Sequence, residues 1–383
     1  MNAIVINETG SSSQMKCEEV PIPKPGQNEA LVKNRVSGIN YLDVYFRGGV
    51  FSLPSLPATL GVEGAGVVEK LGPGVEGLAV GDHVAYFHVG SGSYAEYSVV
   101  PAAKLVKIPS DITFEQAATS MIQGMTAHYL VHSVYPVGPG TKVLVHAAAG
   151  GTGSLVCQVA KNAADICTPC GPKERGRTDS RIFALPFDWI KRIGKSSAAT
   201  TKNCRELRLQ SDAISLSDVL SMILGAYVIG TTSTKEKADK AKGCGADEVI
   251  IYSNNDFVEE VNRITESVGV NVIYDGVGKA TFNKGFGCLA TRGTMVLFGG
   301  ASGYPVSLDL ALLSGSHSVV LPRLFDYIAT PKELNERAND VFNWISQGKI
   351  KMDSFTVLAL SEAKKAHDML EGKKTTGKLL LKS

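Results

Sequence analysis

The sequence lacks the features that mark several protein classes. The 383-residue chain has no excess of one charge, because 39 lysines and arginines are matched by 37 aspartates and glutamates, for a net charge of +2. A balanced surface offers no basic stripe to neutralise a phosphate backbone. Nucleic acid is therefore not the expected partner, with weak RNA binding left as an open alternative.

Long apolar runs are also missing. No stretch is long enough to span a bilayer, and the first residues show no charged segment followed by an apolar one. The seven cysteines are scattered and odd in number, which is typical of reduced thiols and not of a disulfide framework. We therefore expect a cytoplasmic protein that binds no membrane.

What is present indicates an α/β protein of two domains, since 383 residues exceed what one core usually serves. From Ala30 to about Val100, short β-branched runs alternate with glycine and proline, which predicts a small antiparallel barrel. From Thr113 to His132, apolar residues recur at helical intervals and Thr113 can serve as N-cap. This segment is predicted to be a helix that joins the two domains.

Beyond Gly140 the pattern alternates between strand and helix. The predicted strands are continuous and apolar: 142–146, 226–230, 248–252, 272–275 and 294–298. Such strands, separated by helical segments, predict a doubly wound parallel sheet covered on both faces. The residues after about Pro322, ending in Lys378–Leu381, are expected to return to the first domain.

A glycine-rich turn follows the first of these strands. His146–Ser154 contains Gly150, Gly151 and Gly153, and a helix is predicted to begin near Ser154. Glycines let the backbone approach a pyrophosphate, and a helix N-terminus stabilises its charge. The position between a strand and a helix is the context that dinucleotide binding requires.

The end of the next strand indicates which dinucleotide binds. An NAD enzyme usually places an acidic residue there, but Gly230–Lys237 offers hydroxyls and cations suited to a 2′-phosphate, with Ser233 and Lys237 foremost. NADPH is therefore the expected cofactor. An alternative, compatible with this one, is that Ser233 and Glu236 form a capping box and that the lysines lie on a solvated helix face.

Several segments together resemble the quinone oxidoreductases, or zeta-crystallins, of the medium-chain dehydrogenase/reductase family. The resemblance covers nearly the whole chain except a central insertion, and its motifs lie at residues 37–49, 60–66, 147–153, 274–278 and 325–330. It implies a GroES-like β-barrel catalytic domain, 1–123 completed by 321–383, and a Rossmann NADPH-binding domain, 124–320.

The same resemblance implies a set of site residues. Asn40 and Tyr45 would be catalytic and lie beside the nicotinamide. The residues implied to bind the cofactor are Gly150, Gly151, Thr152 and Gly153 at the pyrophosphate, Ser233 and Lys237 at the 2′-phosphate, Tyr252 near the adenosine, Val277, Phe298, Gly299 and Gly300 around the nicotinamide, and Tyr129, Leu324 and Lys378. For the apolar members the alternative is ordinary core packing.

Zinc is not expected. Zinc-dependent proteins that resemble this fold place a cysteine in the stretch matching Gly38–Asp43 and a histidine where this chain has Val62, and both are missing. No cluster of four cysteines follows Val89 either. His83, His88 and Glu63 remain, and isolated histidines are more often core or surface residues than ligands.

Without a metal Lewis acid, alcohol oxidation is disfavoured, and a readily reduced quinone is the expected substrate of this NADPH-dependent enzyme. The rival substrates are alkenals, enones or enoyl thioesters, and a rival of another class is an NADPH-binding crystallin-like or RNA-binding protein. Val50-Phe51 stands where relatives often have tyrosine, which removes a phenolic donor and makes double-bond reduction less attractive, although Tyr45 could donate in its place. Leu321-Pro322-Arg323 also departs from the family pattern. A homodimer or homotetramer is expected.

The insertion at about 162–223 does not fit the doubly wound pattern, since structureless loops of such length are uncommon. Three interpretations compete. The favoured one is a translated intron or mispredicted exon junction, because the flanks join into an ordinary helix-to-strand turn. The others are a genuine surface insertion and a redox role for Cys167 and Cys170.

Overall fold

The computed structural model describes residues 1–163, 225–372 and 375–383. Within these ranges, no helix has the length and apolar character needed to cross a membrane. The insertion, with Cys167 and Cys170, falls almost wholly outside the described residues, so its three interpretations stay predictions.

The N-terminal third is mostly strand. Its elements are β1 (Asn2–Ile6), β2 (Lys16–Glu19), β3 (Glu29–Gly38), α1 (Tyr41–Arg47), β4 (Ala58–Thr59), β5 (Glu63–Leu71), β6 (His83–Phe87), β7 (Tyr97–Pro101) and β8 (Leu105–Lys107). The helix α1 begins with a capping box, in which the Asp43 side chain accepts from the Asn40 backbone N–H at 2.8 Å.

The bridging helix predicted from Thr113 is present, is interrupted once by a π-helical turn, and ends in a second one. It consists of α2 (Phe114–Thr119), a π-helical turn (Ser120–Gly124), α3 (Met125–Tyr129) and a second π-helical turn (Leu130–Val134). Thr113 is its N-cap, as predicted, and accepts from the Gln116 N–H at 3.2 Å. π turns inside helices are frequent at functional sites.

The nucleotide-binding half alternates strand and helix. Its elements are β9 (Lys142–Val145), α4 (Gly151–Lys161), β10 (Tyr227–Thr232), α5 (Lys235–Gly243), β11 (Glu248–Ile251), α6 (Phe257–Ile264), β12 (Val270–Asp275), α7 (Phe282–Gly285), β13 (Leu289–Leu297) and β14 (Ser318–Val320). The C-terminal part contains α8 (Leu324–Tyr327), α9 (Pro331–Ser346), β15 (Phe355–Ala359), α10 (Ala363–Glu371) and β16 (Lys378–Lys382).

The described strands form three sheets. A six-stranded parallel sheet has the order β11-β10-β9-β12-β13-β14, so the strand order reverses between β9 and β12. A barrel-like sheet has the order β15-β16-β3-β5-β6-β8, with β7 also paired to β3, and β2-β1-β4 form a small third sheet. The predicted α/β class, with a barrel domain and a doubly wound domain, is confirmed.

One core runs through both halves. The bridging helix contributes Met121, Met125 and Leu130, which pack in the same cluster as barrel residues and nucleotide-domain residues such as Val36 and Val145. Strand β16 pairs antiparallel with β3, so the C-terminus completes the barrel sheet. The two domains are therefore packed along a shared apolar interior.

The two ends of the undescribed central segment lie side by side. Helix α4 ends at Lys161 with Asn162 as its C-cap, and Gly225 lies so close to α4 that an added Cβ would collide with the Lys161 carbonyl. Gly225, just before β10, has a φ of +83°, the left-handed conformation that favours glycine. The chain therefore leaves α4 and re-enters β10 at one place.

We predict that deleting residues 164–224, which joins Ala163 to Gly225, leaves both domains folded. The reason is that the described neighbours of the junction already have the geometry of a short helix-to-strand connection. Thermal unfolding and NADPH-induced fluorescence quenching would be compared with those of the full chain. An insoluble product, or one that has lost NADPH binding, would contradict the prediction.

Candidate functional site

The glycine-rich turn lies at the carboxyl end of β9, beside the reversal in strand order. Helix α4 begins at Gly151, three residues earlier than predicted, so Gly151, Thr152 and Gly153 form its first turn and their N–H groups have no intrahelical acceptor. An added Cβ at Gly153 would collide with the Ala147 carbonyl, and Ala147 itself has a φ of +55°. The backbone is thus folded into a bare cradle that fits a pyrophosphate.

A second group lies at the end of β10. The N-cap of α5 is Thr234, whose side chain accepts from the Lys237 N–H at 3.3 Å. The Ser233–Glu236 capping box is therefore wrong by one residue, and the Ser233 side chain is not engaged as the cap. Ser233 precedes this cap, Lys237 lies in the first turn of α5, and Tyr252 follows the end of β11 with 48% of its surface exposed. The arrangement suits an adenosine with a 2′-phosphate.

The end of β12 carries a buried carboxylate that shapes the facing wall. Asp275 accepts from the N–H groups of Val277 and Gly278 at 2.7 and 3.0 Å and from the Thr281 hydroxyl at 2.8 Å. The neighbouring loop 298–303 is bonded to this turn, since the Ser302 N–H donates to the Val277 carbonyl at 2.8 Å. Val277, Phe298, Gly299 and Gly300 therefore lie together on one wall across from the cradle.

A buried ion pair lies on the barrel side. The Lys378 ammonium donates to Glu63 Oε2 at 2.5 Å and to Asn40 Oδ1 at 2.8 Å, while Asn40 Nδ2 donates to Glu63 Oε2 at 2.9 Å. Lys378 is 2% exposed. Side chains would not fit at Gly38, where a Cβ would collide with the Glu63 carboxylate. The predicted site residues Asn40 and Lys378 are thus brought together, with their polar atoms directed at each other and at Glu63.

The same carboxylate holds the bridging helix. Glu63 Oε1 accepts from the Ile122 N–H at 2.6 Å, inside the first π-helical turn. The next residue, Gln123, lies against Gly151 of the cradle, and its buried Oε1 has no hydrogen-bond partner among the described residues. A buried acceptor without a donor is costly unless a ligand supplies one. The sequence analysis missed Gln123, since nothing local marks it.

A hydrogen-bonded chain runs from Asp43 toward the surface. Tyr94 donates to Asp43 Oδ2 at 2.9 Å, Tyr94 also lies 3.2 Å from His367 Nε2, and Arg47 donates to His367 Nδ1 at 3.1 Å. Burial raises the pKa of Asp43 to about 7, against the lowering effect of its bond from Asn40. Burial, with the nearby Arg47 charge, lowers the pKa of His367 to about 3. A neutral His367 with its proton on Nε2 satisfies every bond in this chain.

Tyr45 lies at the cleft, with its ring half-buried. It contacts Phe51 edge to face, with centroids 5.5 Å apart, and Tyr304 of the opposite domain at 6.2 Å. Burial raises the pKa of Tyr45 to about 12, so the hydroxyl keeps its proton at neutral pH. Tyr45 can therefore donate a hydrogen bond to an acceptor in the cleft.

Two predicted cofactor residues are buried. Tyr129 is 2% exposed and stacks on Tyr327, with ring centroids 4.3 Å apart, and Leu324 lies in the core at the start of α8. Their described surroundings match the core-packing alternative. Arg323, in the departing Leu321-Pro322-Arg323 segment, is exposed and pairs with Asp326 at 3.1 Å.

The residues at this site do not fit a zinc ion. Glu63, the one acid there with ligand potential by sequence, already has its charge matched by Lys378 and its lone pairs used by Asn40 and Ile122. His83 is exposed and contacts Phe114, away from Glu63. In the part of the chain that the structure describes, no group of three or more possible ligands comes together.

We predict that Lys378→Met lowers the free energy of unfolding by about 3–5 kcal/mol, because it leaves the Glu63 carboxylate buried without its cation. Adding Glu63→Gln in the same chain should recover most of that loss. The matched control is Lys365→Met, which removes the exposed pair with Glu362 and should cost no more than about 1 kcal/mol. Urea denaturation measures all three. A Lys378→Met protein as stable as the parent would exclude the proposed importance of the pair.

Family comparisons agree with this geometry. Residues 26–110 match the alcohol dehydrogenase GroES-like domain, and residues 219–338 match the family described as zinc-binding dehydrogenase. The chain is 36% identical to a quinone oxidoreductase of Salmonella typhimurium over 99% of its own length and 98% of that protein. It is 32% identical to a 2-haloacrylate reductase of a Burkholderia species, over 99% and 98% of the two chains.

The chain also resembles a solved quinone oxidoreductase structure over its whole length. The Escherichia coli quinone oxidoreductase complexed with NADPH superposes with a TM-score of 0.80 at 33% identity, and the match covers 100% of each chain. The identity and coverage of these relatives extend over both domains. The chain belongs to the quinone oxidoreductases of the medium-chain dehydrogenase/reductase family.

Proposed function

We infer that this chain is a zinc-independent enzyme that transfers reducing equivalents from NADPH to quinones. The observation that carries the inference is the bare cradle at Gly151–Gly153, placed at the reversal of strand order where ligands of such sheets bind. The family relationship supplies the substrate class. When bound, NADPH supplies the hydride.

The cofactor would be held by three parts of the chain. The first turn of α4 would take the pyrophosphate, and Ser233 with Lys237 would take the 2′-phosphate. Tyr252 would flank the adenosine, while the wall formed by Val277, Phe298, Gly299 and Gly300 would hold the nicotinamide. The unpartnered Gln123 oxygen is a further acceptor at this place, suited to an N–H of the ligand.

The residues that would face the quinone orient it and form no covalent bond with it. Tyr45 keeps its proton and donates a hydrogen bond to a quinone oxygen. This bond positions the quinone and polarises its carbonyl group. Asn40 acts through its neighbours, because Lys378 and Glu63 fix both ends of its amide. We therefore assign Tyr45 as the catalytic residue and Asn40 as a positioning residue. Lys378 is only 2% exposed, so we assign it the role of holding Asn40 and Glu63 and no contact with the cofactor.

The second candidate function is reduction of activated double bonds. A relative named 2-haloacrylate reductase, 32% identical, favours it. Double-bond reduction needs a positioned proton donor. Phe51 supplies none, which leaves Tyr45, whose hydroxyl keeps its proton, to serve in that reaction. Quinone oxygens can instead be protonated by water after reduction, so the aromatic wall at Phe51 suits them better.

A steady-state assay tests the function. We expect NADPH oxidation with 1,4-naphthoquinone and 9,10-phenanthrenequinone to be at least tenfold more efficient, by kcat/KM, than with an alkenal or 2-chloroacrylate. Enzyme-free rates would be subtracted for every acceptor. A protein that turned over only the alkenal or haloacrylate would overturn the quinone assignment and establish its rival.

Cofactor choice is tested at Lys237. We predict that Lys237→Ala reduces the NADPH over NADH preference in kcat/KM by about ten- to a hundredfold, because a charge-assisted bond contributes about 1.5–3 kcal/mol. The matched control is Lys235→Ala, an exposed lysine of the same helix turn. Unchanged selectivity in the Lys237 variant would reject the 2′-phosphate role.

We also propose an oligomeric state and a cellular location for the protein. A homodimer or homotetramer fits an edge strand, β14, flanked in sequence by exposed apolar residues: Val306, Leu310 and Leu321. We also propose a cytoplasmic location. Analytical ultracentrifugation and cell fractionation would contradict these two proposals by finding a monomer or a protein outside the cytoplasm.

A further inference from the structure

The short helix α1 is held at its start by one oxygen of a buried carboxyl group. Asp43 is 1% exposed, and its Oδ2 accepts from the Asn40 backbone N–H at 2.8 Å and from the Tyr94 hydroxyl at 2.9 Å. The other oxygen, Oδ1, is buried and has no hydrogen-bond partner among the described residues. A buried acceptor without a donor is costly. The cap of α1 is therefore made by a carboxyl group that is only half satisfied.

The charge of this carboxylate has no counter-ion of its own in the part of the chain that the structure describes. The titratable and charged groups around Asp43 are Glu63 of β5, Tyr94 of the loop before β7, Lys378 of β16, His367 of α10 and, on α1 itself, Arg47. The Lys378 ammonium is already paired with Glu63. Arg47 donates to both carboxylate oxygens of Glu371, at 2.7 and 3.0 Å. His367 is uncharged at neutral pH, since its pKa is about 3.

This environment lets the carboxyl group gain and lose its proton near neutral pH. Burial raises the pKa of Asp43 from an ordinary 3.8 to about 7, although the bonds from Asn40 and Tyr94 lower it. A proton on Oδ1 would find no described acceptor. It would also turn two charge-assisted bonds at Oδ2 into neutral ones, which are roughly half as strong. Protonation therefore weakens the hold on the Asn40 N–H.

The residues carried by α1 depend on this hold. Asn40 precedes the helix, and Tyr45 lies in its second turn, where the Tyr45 carbonyl accepts from the Val50 N–H at 2.9 Å. The helix has only seven residues, so a shift at its start also moves Tyr45. We propose that Asp43 is a positioning residue whose ionised form keeps Asn40 and Tyr45 in place and whose protonation loosens both. The inference rests on the proposed quinone reductase function and adds a pH dependence of that same site.

The first test compares kcat of the parent and of Asp43→Asn, with 1,4-naphthoquinone and saturating NADPH, from about pH 5.5 to about pH 9. The carboxyl group is ionised above its pKa, so the parent-to-variant ratio should rise at least threefold as the pH passes through about 7. Asp43→Asn keeps two neutral bonds and cannot ionise, so it should stay on the low plateau. The ratio removes the titration of the cofactor's own phosphate, which both proteins share.

The matched control is Asp256→Asn, the same change at the start of α6. Asp256 is exposed and accepts from the Val258 N–H at 2.8 Å, a bond that lowers its pKa. This carboxylate therefore stays ionised across neutral pH, and its variant should follow the parent profile.

A second test, of stability, separates positioning from ordinary helix capping. Because the pKa of Asp43 is raised in the folded protein, the folded state keeps a proton that the unfolded chain has released between about pH 4 and about pH 7. The parent loses stability as the pH rises through this window, and Asp43→Asn does not. The thermal midpoint of the variant should therefore rise relative to that of the parent between about pH 5 and about pH 8, although its activity is lower. A carboxylate that only stabilised the helix would give the reverse.

An activity ratio that stays constant across neutral pH, or a variant whose thermal midpoint falls relative to the parent as the pH rises, would overturn the proposal. Should Asp43→Asn fail to fold, Tyr94→Phe decides. It removes a bond that favours the ionised form, so the midpoint of the activity profile must move to higher pH, and an unmoved midpoint rejects the idea. A parent that reduces naphthoquinone keeps the proposed function even if this inference fails. A parent that is inactive at every pH removes both.

Discussion

The buried pairing of Lys378 with Glu63 holds together four parts of the chain that are remote in sequence. Lys378 belongs to the last strand and Glu63 to β5, while Asn40 caps α1 and Ile122 lies in the bridging helix. Burying two charges costs several kcal/mol per ion, and only close geometry with every lone pair satisfied offsets that cost. The pair therefore forms only when the barrel, the C-terminal strand and the bridging helix are all correctly placed around Glu63.

The cradle on the other side of the cleft depends on sheet topology. Parallel strands in the order seen here leave a crevice between β9 and β12, because their connections depart in opposite directions. The turn after β9 and the Asp275-shaped turn after β12 form its two sides. Backbone hydrogen bonds thus stabilise the turns after β9 and β12, whereas paired charges stabilise the barrel side of the site.

Much of the fold could be predicted from the sequence, because its signals are local. The apolar runs of β9 to β13 and the Thr113 cap depend on neighbouring residues alone. The start of α4 was placed three residues late since glycines, poor helix formers, fill its first turn. The cap of α5 was wrong by one residue because a run of hydroxyl residues, from Thr231 to Thr234, offers several candidates.

The site was less accessible to such reasoning. The glycine turn and the hydroxyl and lysine residues at the start of α5 follow from motif context, and Asn40 was named from the resemblance. The orientation of the Asn40 amide was not, because its partners lie 23 and 338 residues away. Tyr304 and Gln123 carry no motif, and only the assembled cleft shows what they contact.

The C-terminal strand also touches both halves of the site. Gly377 forms a β-bridge with Gly150 of the cradle, and the next residue, Lys378, carries the ammonium that neutralises Glu63. Two adjacent residues at the start of the C-terminal strand therefore link the backbone of the cradle to the buried charge pair. A displacement of that strand would disturb both sides of the site at once.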